Sequence, residues 1–114
     1  MIDALLVGLG GVVGAVSRYL VGRRLSGRRA TATVNVLGSA LLGGVVTLPL
    51  DDPLLLAVGT GFCGAFTTFS SFAVEVADLS TDGAERTAGR YALLMLVGAL
   101  FGVGLGVLLG GGPG

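Results

Sequence analysis

The chain alternates long apolar runs with short polar knots. Four runs, at about 3–22, 31–50, 53–77 and 90–110, are each long enough to cross a hydrocarbon core of ~30 Å as a helix, which takes about 20 residues. The knots are "GRRLSGRR" (22–29), Asp51 and Asp52 ahead of Pro53, and "DLSTDGAERTAGR" (78–90). Connections this short make neighbouring helices antiparallel and leave no room for a soluble domain. The pattern predicts a single all-α transmembrane domain over 1–114, with four helices and both chain ends on one side.

Two runs depart from plain lipid-spanning sequence. The third, from Pro53 to Ala77, would measure about 37 Å as one helix, and Gly59, Gly61, Gly64, Thr67 and Thr68 are poor helix formers. A discontinuous third helix accounts for both features, with half-helix ends meeting near Gly64 to Thr67. Broken helices persist at membrane depth where protein buries them or where they line an aqueous cavity. In the second run Thr31, Asn35, Ser39, Gly43 and Thr47 recur every four residues, a slowly winding polar stripe with Asn35 its strongest member. A lone Thr or Ser usually bonds back to its own helix. Five positions in register read instead as a wet or partner-facing surface. In the last run Gly98, Gly102, Gly106 and Gly110 form a small-residue ridge suited to close helix packing.

Composition fixes the solvent. Only 12% of the 114 residues are charged and 53% are hydrophobic, against about 25% charged in a soluble domain. The start, "MIDALLVGLGG", has no basic residue ahead of its apolar run, so no cleavable signal peptide is expected. One cysteine and no histidine exclude an internal disulfide and a thiolate or imidazole metal site, and leave Cys63 as a small core residue. Net charge is zero, yet Arg18, Arg23, Arg24, Arg28 and Arg29 surround the first knot and Arg86 and Arg90 the third, with no basic residue on the opposite face. The positive-inside rule therefore puts loops 22–29 and 78–90 in the cytoplasm and both termini outside. The arginines read as topology with lipid-headgroup contact, not as a nucleic-acid patch.

The chemistry follows from what lies inside the membrane. The sequence offers no nucleophile–base pair and no intramembrane carboxylate dyad, so it is not that of an enzyme. Phe69 and Phe72 alternate with hydroxyls within the suspected break. Ring edges are electropositive, and the amide of Asn35 with the hydroxyls of Thr31, Thr68 and Ser71 can replace part of a small anion's hydration shell. Several weak neutral donors suit conduction, which needs both entry and exit, better than a buried cation does.

Three segments, "GGVVGAVSRY" (10–19), "TATVNVLGSALLG" (31–43) and "GFCGAFTTFSSF" (61–72), together resemble the fluoride channel family, Fluc or CrcB, over most of the chain. The resemblance implies an antiparallel dimer in the plasma membrane with two fluoride pores and a structural sodium ion at its centre. Backbone carbonyls of Gly64 and Thr67 would hold the sodium. Phe69, Phe72 and Asn35 would line a pore, with Thr31 one turn earlier, Arg18 near the pore mouth and Tyr91 early in the fourth helix. It further implies passive fluoride exit, which relieves the toxicity of fluoride that enters as neutral HF.

The fourth run departs from the family pattern, because the positions where relatives carry pore hydroxyls read Met95, Val97 and Ala99. Together with the one-sided arginines this predicts a heterodimer with a homologue of opposite orientation. Two other readings remain at this stage: a small multidrug-resistance-type transporter, which needs a carboxylate in the first helix where only Asp3 stands, and a non-conducting structural subunit. Asn35→Asp is expected to separate the channel from the latter, since a carboxylate there should repel an anion and matter little to packing elsewhere.

Overall fold

The computed structural model describes residues 2–111; residues 1 and 112–114, the ends of the expected domain, lie outside the described residues. Every regular element among the described residues is helical. Helix α1 spans Ile2–Arg24 and α2 Arg28–Thr47. The third span comprises α3 (Asp52–Leu55), a π-helical stretch (Leu56–Cys63), α4 (Gly64–Phe66) and α5 (Phe69–Thr81), and α6 runs Glu85–Leu109. Four spans are thus long and apolar enough to cross a membrane.

Local chemistry sets the boundaries. Leu48 precedes Pro49, which disfavours helical backbone, and its ψ of 150° ends α2 short of the expected residue 50. Asp51 restarts the chain by accepting the Leu54 N–H at 3.0 Å, with Pro53 in the first turn where a missing N–H costs nothing. The turns into α2 and α6 use Gly27 (φ 59°) and Gly83 (φ 82°), left-handed positions that suit glycine.

The third helix is discontinuous as expected, but its interruption lies later and is narrower than the glycines suggested. The chain stays helical through Phe66 and opens only at Thr67 (ψ 162°) and Thr68 (φ −148°, ψ 120°). Gly59 and Gly61 lie inside the π-helical stretch. A Cβ on Gly61 would stand 2.5 Å from the Val7 carbonyl oxygen, and on Gly10 or Gly14 it would collide with the backbone of Ala57 or Phe62. Gly10, Gly14 and Gly61 therefore record the closeness of α1, not a break.

The third span changes neighbours at its interruption. Its first half packs on α1, whereas α5 leans on α6. The broadest interface joins α2 to α6 and rests on the expected glycine ridge: a Cβ on Gly102 would lie 2.8 Å from the Val36 carbonyl oxygen, and one on Gly106 would overlap the Ala40 carbonyl. Gly43 of α2 fits the Val103 backbone in return. Val34, Val45, Cys63, Phe66, Ala88 and Met95 are buried between the helices. Outward-facing Leu5, Leu9, Leu93, Leu100 and Phe101 are exposed, an apolar belt that lipid solvates.

A side chain forced into the α2–α6 contact should therefore be felt. Gly106→Val is expected to lower unfolding stability by about 1–3 kcal/mol. Gly104→Ala, at a position with nothing within 4 Å, should not destabilise the chain in the same thermal melt in detergent and should gain up to about 1 kcal/mol from helix propensity.

Candidate functional site

The site is built on the interruption. Extended backbone at Thr67 and Thr68 takes the Thr68 N–H out of the helical ladder, and at membrane depth it must find another partner, while the Thr68 carbonyl, at the N-cap of α5, has a lone pair to spare. The Asn35 side chain engages both. Its Oδ1 accepts the Thr68 N–H at 2.8 Å and its Nδ2 donates to the Thr68 carbonyl at 3.0 Å. Gly38, one turn along α2, makes this approach possible, since a Cβ there would meet the Thr67 methyl.

The Thr68 hydroxyl then caps α5, accepting the Ser71 N–H at 3.2 Å and lying 3.3 Å from Ser70 Oγ. Carbonyls ahead of the break consequently lose their helical donors, those of Gly64 and Thr67 among them. The Thr68 N–H that would serve Gly64 goes to Asn35, and the Ser71 N–H that would serve Thr67 goes to the Thr68 hydroxyl. Both residues line the same groove.

That groove has a volume of about 620 Å³ and is open on one side, with walls that include Asn35, Ser39, Thr60, Thr68, Phe69, Phe72, Met95 and Ala99. None of its wall residues among those described is basic or acidic. Phe69 is 79% exposed at its edge, so one ring face has no partner within the chain. The rings continue inward: Phe69 and Phe72 lie 6.0 Å apart between centroids, and Phe72 and Tyr91 lie 5.5 Å apart.

Tyr91 leads to a second polar cluster. Its hydroxyl donates to Glu75 Oε1 at 2.6 Å, and the Thr31 hydroxyl donates to Glu75 Oε2 at 2.9 Å. Arg28 stands 5.7 Å over the Tyr91 ring, within cation–π range. Thr31 also borders a pocket of about 430 Å³ shared with Arg18, Tyr19, Arg23 and Ser71.

The residues read from sequence thus fall into two linked groups. Asn35, Gly64, Thr67, Thr68, Phe69 and Phe72 meet at the groove, while Arg18, Thr31 and Ser71 meet at the second pocket, with Tyr91 joining the two through Phe72 and Glu75. The polar stripe of α2 divides. Steps of four residues advance about 40° around a helix, so Asn35 and Ser39 face the groove while Gly43 meets α6 and the Thr47 hydroxyl bonds back to the Gly43 and Gly44 carbonyls.

One expectation is overturned. Asn35→Asp cannot leave packing alone, because the carboxamide pairs with both peptide groups of Thr68. Sequence reading also passed over Glu75 as a group at the end of a run. A signal was present: Thr68, Ser71, Phe72 and Glu75 are spaced three and four apart and share one helix face.

A family profile described as "CrcB-like protein, Camphor Resistance (CrcB)" matches residues 5–107. Among curated proteins, "Fluoride-specific ion channel FluC 2" of Natronomonas pharaonis is 49% identical over 112 residues, covering 96% of each chain. "Fluoride-specific ion channel FluC" of Chlorobium chlorochromatii is 40% identical, covering 91% of this chain and 88% of that protein. "Fluoride-specific ion channel FluC" of Bordetella bronchiseptica is 38% identical, covering 93% and 89%.

Asn35→Asp removes the donor to the Thr68 carbonyl and sets a carboxylate against it. The expected cost is about 1–3 kcal/mol of stability, together with faster hydrogen–deuterium exchange in a peptide spanning 64–72.

Proposed function

The chain belongs to the CrcB family, and from that membership and the geometry of its groove we propose that it is a membrane channel subunit through which fluoride leaves the cell passively. The observation that carries the reading is a broken membrane helix whose groove offers ring edges, hydroxyls and amide groups and no basic wall residue. Such walls bind a small anion weakly at several places, which permits exit as well as entry. The N-terminal end of α5 faces the same region and adds a partial positive charge.

The path in this reading begins at the Arg18 pocket, where a cation gathers anions without holding them inside the membrane. It continues past Thr31 and Tyr91 to the two phenylalanines and the region of Asn35. Glu75 lies beside that route with both oxygens already engaged by hydroxyl donors. An approaching anion therefore competes with Glu75 for those hydroxyls.

A sodium ion fits the interruption. The carbonyls of Gly64 and Thr67 lack their helical donors, and hard oxygen ligands suit a monovalent cation. Bound there, sodium would neutralise converging carbonyl dipoles and hold the break open. Two carbonyls are too few for a full shell, which a second subunit would complete.

An antiparallel partner also closes the groove, covering the exposed ring of Phe69. All seven arginines flank the two turns at one end of the helices, so the chain inserts in one orientation, with those loops cytoplasmic and both termini outside. The partner is then a homologue with the opposite bias, and it supplies hydroxyls where this chain has Met95 and Ala99.

A proton-coupled exporter is the second reading, favoured only by the half-buried carboxylate of Glu75. Efflux from proteoliposomes separates the possibilities. The pair of homologues should release fluoride rapidly without a pH gradient and leave chloride at the protein-free rate, while this chain alone should be slow. Robust fluoride efflux from the chain alone would overturn the heterodimer. Flux that appears only with a pH gradient would overturn the passive channel, as would no fluoride flux from either preparation.

A further inference from the structure

Asn35 has one oxygen and two N–H groups to satisfy. The oxygen and the N–H beside it are both taken by Thr68, the geometry of a paired peptide unit. The second N–H of a primary amide points away from such a pair. It is the one donor the side chain has left for a passing anion.

Met95 brings the other acceptor within reach of Nδ2. Its Sδ lies 3.8 Å from Asn35 Nδ2, and the residue is 7% exposed although Leu94 and Val97 near it on α6 face outward. A thioether accepts hydrogen bonds weakly, and the unbranched side chain changes rotamer readily. The contact thus engages the N–H without holding it firmly and keeps water off it with apolar bulk.

We propose that Met95 is a positioning residue for the anion path: its thioether parks the one Asn35 N–H not spent on the helix break, and the donor reaches an anion only when that contact opens. This rests on the channel reading above and specifies how one of its donors is regulated. A hydroxyl at this position would accept the N–H more strongly and could itself donate, giving a wall of different affinity. Methionine makes the donor available at low cost and adds no second one.

Two variants tune the contact in opposite directions. Met95→Leu keeps the volume and removes the acceptor, and Met95→Gln keeps the length and supplies a strong acceptor. Each is made in the full chain, reconstituted with its homologous partner, and read in two ways: by the Asn35 side-chain amide resonances in nitrogen-15-labelled protein without fluoride, and by fluoride efflux. The expected result is that the Asn35 amide proton moves upfield in Met95→Leu and downfield in Met95→Gln. Efflux should be several-fold faster in the first and about tenfold slower in the second, the equivalent of one neutral hydrogen bond.

Unchanged Asn35 resonances in Met95→Leu, with efflux within about twofold of the parent, would reduce Met95 to a space-filler and overturn the proposal. Met95→Leu decides the matter even where Met95→Gln fails to fold, since Leu and Met exchange at small cost. The amide readout needs no fluoride, so loss of flux in the parent overturns the channel reading while shifted resonances still support the Met95 contact.

Discussion

The pairing of Asn35 with Thr68 is the interaction on which the site depends. Within a bilayer a peptide group that leaves its helix has no water to turn to, and each such group left bare costs several kcal/mol. One carboxamide meets that demand at the Thr68 N–H and also grips the carbonyl of the same residue. With Thr68 held extended, its hydroxyl is free to cap α5, and the rings of Phe69 and Phe72 fall in the first turn of a helix whose position is fixed. The unpaired carbonyls before the break and the capped N–H groups after it are two results of one diversion.

Close backbone approach makes the pairing possible. α2 is a central post, held to α6 through Gly43, Gly102 and Gly106 on one side and admitting the third span over Gly38 on the other. A carboxamide is short, so its reach to Thr68 requires helix axes nearer than ordinary side chains permit. Where lipid removes the usual hydrophobic drive between helices, this tight van der Waals contact does the positioning. Hydrogen bonding at the break and glycine packing two turns away are therefore parts of one arrangement.

Much of this was legible in the chain. The four spans, their antiparallel order, the α6 ridge and a discontinuous third helix follow from run length, knot length and period-four glycines, properties that lipid makes nearly compulsory. The position of the break was harder to read, because Gly59 and Gly61 resemble helix breakers when they in fact lie in continuous helix, Gly61 against the backbone of α1 and Gly59 beside Leu42 of α2. Propensity describes one strand of chain, and these glycines answer to a second. Asn35 was visible as the strongest polar residue of its stripe, but whether it faces an ion or a peptide group depends on where Thr68 comes to rest, 33 positions later. Glu75 was missed for the same reason, since its partners Thr31 and Tyr91 come from other helices.

The direction of the Asn35–Thr68 link along the chain bears on how the protein is made. A chain enters the membrane in the order of its synthesis, N-terminal segments first. α2, with its carboxamide, already lies in the bilayer when the third span arrives. The incoming segment brings a peptide N–H that lipid will not solvate and meets a partner able to take it. With the order reversed, the broken span would have to wait in hydrocarbon for its acceptor. Translation thus delivers the brace before the fault it supports.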